Sequence, residues 1–114
     1  MKIKISFHNM PHSQALEEHC HAKLKKIQDH LGSEDGQPLH LELWLKANKI
    51  HPHHAVEIHL KTPHFDLNAH NEGADMYIVV DQTIDKMVAL LIKEKDRRRE
   101  KIRKPETEKS LFRK

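Results

Sequence analysis

The chain has 114 residues, of which 32% are charged and 4% are aromatic, and its net charge is +3. This length fits one domain with a small core, and the single cysteine, Cys20, excludes an intramolecular disulfide. The sequence shows no run of signal-peptide type and no stretch of the roughly 20 apolar residues needed to cross a bilayer, so we expect a cytoplasmic protein.

The first two elements are predicted to be a strand and a helix. Ile3, Ile5 and Phe7 alternate with polar residues, which indicates a strand with one buried face. Ser13 is a candidate N-cap for a helix that ends at Gly32, and residues 32–38 indicate a loop. The apolar stripe of this helix is formed by Leu16, Cys20, Leu24, Ile27 and Leu31.

Three further strands follow, each with apolar residues at every second position. Their apolar positions are Leu39, Leu41, Leu43 and Leu45, then Val56, Ile58 and Leu60, then Phe65, Leu67 and Ala69. Thr62-Pro63 indicates the turn between the last two strands, and Trp44 falls on the polar side of its strand. Because every strand has one apolar face, the sheet needs covering on one side only.

A second, longer helix is predicted to begin near Ala74 or Asp75 and to stop at Pro105, which cannot donate the next helical hydrogen bond. Its apolar face comprises Tyr77, Val80, Ile84, Met87, Val88 and Leu91. We expect the Tyr77 ring to be buried against the sheet, with stacking on a nucleobase as the alternative.

The order β-α-β-β-β-α predicts an α+β fold, a two-layer sandwich in which a four-stranded mixed sheet carries both helices on one face. A right-handed crossover makes the first two strands parallel, and short links make the remaining pairs antiparallel. Residues 1–104 form the domain, and residues 105–114 are expected to be a flexible basic tail.

Positive charge is concentrated in one segment. Residues 93–104 hold eight Lys or Arg and three Asp or Glu, whereas residues 1–92 hold nine basic and twelve acidic side chains. Concentrated positive potential attracts phosphates more strongly than the net charge of +3 suggests. The row opposite the apolar face of the second helix consists of Lys86, Lys93, Arg97 and Lys104, with Arg98 beside it.

The first helix also has a basic flank, made of His19, Lys23, Lys26 and His30. If the helices pack side by side, this flank and the row on the second helix border one surface, and parallel rows of cations match the phosphates across an RNA groove. The alternative is that these lysines only keep the helix soluble.

Nothing in the sequence favours catalysis, a cofactor or a metal centre. Cys20 lies on an apolar stripe, no serine lies in a nucleophile elbow, and there are only three glycines for a phosphate loop. Twelve histidines, including His51, His53 and His54 in one loop and His40, His59, His64 and His70 on the open sheet face, lack a Cys-x-x-Cys or His-Glu-x-x-His pattern. Their protonation below pH 6 is expected to tighten binding to a polyanion.

Two segments resemble the ribosome hibernation promoting factor family. Glu72-Gly73-x-Asp75-Met76-Tyr77, with Asp81, Ile84-Asp85-Lys86, Leu91, Lys93 and Lys95-Asp96, is similar to the second helix of that family, and Ala15-Leu16 with Ala22-Lys23-x-x-Lys26 is similar to the first. The resemblance covers roughly residues 1–102 and is to the short type, which lacks a second domain. Family members commonly have Arg-Gln where this chain has Ala89 and Leu90, so either some phosphate contacts of the family are missing here or Arg97, Arg98 and Arg99 supply them.

The resemblance implies a protein that binds the small ribosomal subunit through 16S rRNA, in the channel used by mRNA and tRNA. It would inhibit translation under stress or in stationary phase by occupying that channel, with no reaction catalysed and no small-molecule substrate. The residues expected to bind RNA are Lys23, Lys26, Lys86, Lys93, Arg97, Arg98 and Lys104. Promotion of ribosome dimers is left open. The alternatives are a generic module for double-stranded or structured RNA and a protein-interaction module with an acidic partner.

Overall fold

The computed structural model describes residues 2–31 and 40–111, with side chains up to residue 98. The elements are β1 (Lys2–His8), α1 (Gln14–Leu31), β2 (His40–Lys46), β3 (His54–Lys61), β4 (Asp66–Gly73) and α2 (Met76–Leu111). Their order confirms the predicted β-α-β-β-β-α arrangement. The predicted C-cap at Gly32 and the loop over residues 32–38 lie outside the described residues.

The four strands form one mixed sheet in the order β1-β2-β3-β4. β1 is parallel to β2, with Ile5 opposite Leu43, whereas β2 with β3 and β3 with β4 are antiparallel. Leu43 lies opposite Ile58, which in turn lies opposite Ala69, so one line of apolar residues crosses the whole sheet. The predicted pairing directions are therefore confirmed.

The core lies between one face of the sheet and both helices. The five stripe residues of α1 are all buried, as are alternate residues of β2 and β3. α2 closes the same cluster with Val79, Val80, Ile84, Met87 and Leu91. The other sheet face stays open, and Trp44 lies on it partly exposed, as expected from its place between the buried Leu43 and Leu45.

Side-chain caps fix the start of each helix. The Leu16 amide donates to Ser13 Oγ at 3.2 Å, and the Tyr77 amide donates to Asp75 Oδ1 at 3.0 Å. Both bonds satisfy N–H groups that lack a partner within the helix. Gly73 ends β4 where α2 approaches closely, because a Cβ at this position would lie 2.9 Å from Val79 Cγ2.

Two details of α2 differ from the prediction. Tyr77 is 41% exposed, whereas Val79 and Thr83 are buried. The prediction that the sheet buries the tyrosine ring was wrong, because the first turn of α2 places Tyr77 beside α1. There its ring meets the His19 ring edge-on, with centroids 4.9 Å apart.

The second difference is that α2 continues through Pro105 to Leu111, so the predicted stop at Pro105 was wrong. Proline inside a helix costs about 3 kcal/mol, a finite penalty that strong helix formers on both sides can offset. Lys and Glu, both strong helix formers, dominate the sequence around it. A flexible tail over residues 105–114 stays a prediction. Among the described helices, none has an apolar stretch long enough to span a membrane.

Candidate functional site

The basic flank of α1 faces α2, where acidic side chains meet it. His19 Nε2 lies 2.8 Å from Asp81 Oδ1, and the Lys26 ammonium donates to Asp85 Oδ1 at 3.3 Å. Both pairs are partly exposed, so each contributes at most about 1 kcal/mol to stability. These polar contacts join the two helices. The charge of Lys26 is also already balanced in the free protein.

Lys23 and Lys95 complete this side of the helical layer. No side-chain hydrogen bond or ion pair of Lys23 occurs within residues 2–31 and 40–98, and its side chain is half-buried. Lys95 donates to the His30 carbonyl at 2.6 Å, where α1 is about to end. A cation there interacts favourably with the negative end of the helix dipole. Lys95 therefore holds α2 against the last turn of α1.

Lys86 lies on the opposite flank of α2 and reaches the edge of the sheet. Its ammonium donates to the His70 carbonyl at 3.0 Å and to Asn71 Oδ1 at 3.3 Å. Lys93, two turns along the same flank, is exposed and has no side-chain partner among the residues described. These two lysines border a groove between α2 and β4.

The two predicted rows of cations lie on opposite sides of the exposed face of α2. Asp85 and Lys86 are consecutive in the helix, so their side chains point about 100° apart, and they contact α1 and β4 respectively. The exposed ridge of α2 between them carries Ile78, Gln82 and Ala89. Lys23 and Lys26 lie on one side of this ridge, and Lys86 and Lys93 lie on the other, so the two rows flank the exposed face of α2. That both rows contact one RNA stays a prediction.

The remaining predicted cations lie beyond the last core residue of α2, Leu91. Arg97 Nη1 is 3.0 Å from Glu94 Oε2, one helical turn away, and Arg98 is exposed with no side-chain partner within the described part of the chain. Lys104 lies within α2, and its side chain is outside the described residues. Arg97 continues the line of Lys86 and Lys93, whereas Arg98, seven residues after Leu91, continues the core-facing side of α2 past the sheet.

Cys20 is a core residue, as the sequence indicated. It is fully buried, and burial, followed by the negative charges of Asp81 and Glu17, raises the pKa of its thiol to about 12. A thiol that remains protonated at neutral pH is a poor nucleophile.

Several histidines contact carboxylates. His59 lies 2.6 Å from Asp66, and His53 lies 2.6 Å from Glu72, both on the open side of the sheet. The hydrogen bond from His59 lowers the pKa of the Asp66 carboxyl, just as the bond from His12 lowers the pKa of Glu17. Among the described residues no three His, Cys, Asp or Glu side chains are grouped so as to hold a metal ion.

Comparison with known proteins identifies relatives of the chain. The family model described as Sigma 54 modulation protein / S30EA ribosomal protein matches residues 3–99. That range includes β1 from Ile3 onward, all of α1, β2, β3 and β4, and the part of α2 that packs on the sheet. No curated protein gives a significant match.

Two solved structures share the fold. One, titled as a ribosomal subunit interface protein from Coxiella burnetii, is 29% identical with a TM-score of 0.70, and the match covers 84% of this chain and 99% of that one. The other, the N-terminal domain of Protein Y from Thermus thermophilus, is 20% identical with a TM-score of 0.68, and covers 80% of this chain and 96% of that one. At the lower identity the likeness concerns the fold alone.

Proposed function

Because the chain belongs to the family described as Sigma 54 modulation protein / S30EA ribosomal protein, we propose that it is a cytoplasmic hibernation factor that binds the small ribosomal subunit through 16S rRNA. The resemblance of its helices to ribosome hibernation promoting factors is confirmed by the same match. The bound protein occupies the channel used by mRNA and tRNA and inhibits translation under stress or in stationary phase. It acts by occupancy, with no bond made or broken.

The observation that carries this proposal is the family match over residues 3–99. The geometry adds a surface suited to a polyanion. Lys86, Lys93, Arg97 and Arg98 lie along α2 and are exposed, and Lys23 and Lys26 lie beside its other flank. Phosphate contacts position a protein on RNA and supply most of the salt-dependent affinity.

The cations differ in how readily they can meet a phosphate. Lys93 and Arg98 have no side-chain partner to give up among the described residues. Lys26 must exchange Asp85 for a phosphate, and Arg97 must exchange Glu94. Exposed pairs of this kind are weak, so each exchange costs at most about 1 kcal/mol. We therefore assign the first contacts to Lys93 and Arg98.

Charge reversal on α2 tests the proposal. The triple variant Lys86→Glu, Lys93→Glu and Arg97→Glu should lose co-sedimentation with small subunits, because three phosphate contacts become repulsive. A matched control, Lys2→Glu, Lys25→Glu and Lys49→Glu, changes the total charge equally at three exposed lysines away from this flank. The control should retain most of the binding.

Circular dichroism and urea unfolding establish that both triple variants are folded. Equal loss of binding in the two would show that only net charge matters and would refute the assigned surface. Tighter binding of the wild-type protein to naked duplex RNA than to intact subunits would assign it instead to the generic class of structured-RNA modules.

A further inference from the structure

A groove of about 410 Å³ runs between α2 and the edge strand β4. It is lined by Asn68, Ala69, His70, Lys86, Ala89, Leu90 and Lys93. Positions 86, 89, 90 and 93 are spaced so that they form one strip along the helix. The long lysines stand roughly 10 Å apart along the axis, and the short side chains of Ala89 and Leu90 leave the space between them open.

The strand side of the groove offers hydrogen-bonding groups. β4 is the last of the described strands in the sheet, so within residues 2–31 and 40–111 no strand neighbours one side of its backbone. The His70 carbonyl faces that side, because it accepts from Lys86. Asn68, two residues earlier, presents its backbone in the same direction. Asn68 and His70 both line the groove. Because they flank the buried Ala69 in the strand, their side chains lie toward the open face of the sheet, and they offer the groove their backbone groups.

The lining residues select the chemistry of the occupant. Two are lysines and none is acidic, whereas the floor between them is apolar. A ligand that fits must carry negative charge at its ends, a flat apolar body in the middle, and polar groups on one edge. A nucleotide has these parts, and the volume lies in the range typical of small-ligand sites.

We propose that this groove binds one unstacked nucleotide of the RNA that the protein docks on. Its base lies on Leu90 and Ala89, its phosphates contact Lys86 and Lys93, and the outward-facing backbone groups of Asn68 and His70 meet the polar edge of the base. Unstacked bases are the part of folded RNA that proteins read most readily. The inference rests on the proposed function, because the nucleotide belongs to the same RNA.

An added peptide strand is the competing occupant of an edge strand next to a helix. The contact from Lys86 argues against it, because the ammonium already occupies the His70 carbonyl that such a strand needs. Lysine at a sheet edge is a known barrier to strand addition. The phosphate of a nucleotide, by contrast, gains from the same lysine.

Nuclear magnetic resonance of the ¹⁵N-labelled full chain tests the proposal. Adenosine monophosphate and a single-stranded RNA tetranucleotide should shift the backbone amides of Asn68, His70, Ala89 and Leu90. Inorganic phosphate at the same concentration should shift only the surroundings of Lys86 and Lys93. Equal shifts with phosphate alone would reduce the groove to a site for anions and overturn the assignment, as would shifts confined to other surfaces.

Two variants sharpen the result. Ala89→Glu puts a carboxylate into the groove from an exposed position and should weaken nucleotide binding by about tenfold or more, because a negative charge then lies close to the phosphates. Ile92→Glu adds the same charge one turn away on the α1 side of the ridge and should have a much smaller effect. Equal effects would overturn the proposal, and an acidic peptide that shifts these amides when nucleotides do not would assign the groove to a protein.

Co-sedimentation with small subunits is measured in parallel. If the protein binds subunits but nucleotides do not shift its amide resonances, this inference is refuted and the proposed function stands. If the wild-type protein does not bind subunits, the proposed function itself is refuted.

Discussion

Asp85 and Lys86 are neighbours in sequence, yet they contact different parts of the molecule. Asp85 pairs with Lys26 of α1, and Lys86 binds the His70 carbonyl of β4. The same pattern holds at His19, which pairs with Asp81. In the sequence all these cations look alike. In the structure some are already paired in the free protein, and others are available to a phosphate.

Asp66 and His59 give a pH-dependent prediction at the same scale. Because the hydrogen bond from His59 lowers the pKa of Asp66, His59→Gln should raise that pKa toward its ordinary value. The measurement is a ¹³C carboxyl titration by nuclear magnetic resonance. His8→Gln, on the same open face but in β1, is the control and should leave the Asp66 titration unchanged.

The sign of the stability effect follows from linkage. A carboxyl whose pKa is lower in the folded chain adds stability above the unfolded pKa of about 3.9, and this is lost as the pH falls through the folded value. The wild-type advantage over His59→Gln should therefore be present at pH 5 and be lost on acidification below the unfolded pKa of about 3.9, as the pH falls through the lowered folded pKa. An advantage that grew on acidification would contradict the assigned pairing.

At the scale of elements, α2 has two roles: one half packs on the core, and the other half carries positive charge. Its first half closes the core through Val80, Ile84 and Leu91, and its second half carries the arginines past the sheet. The His19–Asp81 pair with α1 and the contact of Lys86 with β4 hold the helix in place on both flanks. The direction of the cationic segment is therefore set by the packing of the first half.

Leu91 and Ile92 test this division within one helix. Leu91 is fully buried and Ile92 is 42% exposed. Leu91→Ala should lower the free energy of unfolding by about 2–5 kcal/mol, because it leaves a cavity in the core. Ile92→Ala should cost under about 1 kcal/mol. Urea denaturation measures both, and equal losses would mean that the ridge of α2 is covered by something other than solvent.

At the scale of the whole molecule, charge is distributed unevenly. Residues 1–92 carry more acidic than basic side chains, whereas residues 93–104 hold eight Lys or Arg and three Asp or Glu. We expect an anionic surface to orient such a molecule before contact, with residues 93–104 nearest to that surface. Its affinity should respond to salt more strongly than the net charge of +3 suggests.

The dependence of affinity on salt concentration measures this electrostatic contribution. If about five phosphates are neutralised, the logarithm of the association constant for small subunits should fall with the logarithm of salt concentration with a slope near −4. Removing the positive charges of Lys86, Lys93 and Arg97 together should make that slope shallower by about 2–3. Co-sedimentation between about 50 and 200 mM salt measures both slopes. A slope near zero for the wild-type protein would contradict electrostatic docking.

The sequence by itself determined the elements, their order and the fold class. Periods of 2 and 3.6 residues are local properties, so the strands, the stripe of α1 and the cap at Ser13 could be predicted without knowing their neighbours. The resemblance in residues 72–96 was equally local, and the family match confirmed it. Cys20 was correctly placed in the core for the same reason.

Only the tertiary structure decided which flank of each helix meets which neighbour. Periodicity assigns the buried face of α2, but it cannot show that Asp81 and Asp85 would meet the basic flank of α1 or that Tyr77 would lie beside His19. The groove between Lys86, Leu90 and β4 joins residues about 20 positions apart in sequence, and it exists because α2 packs along the edge of the sheet. Contacts between distant segments depend on the relative placement of whole elements, and no local pattern carries that information.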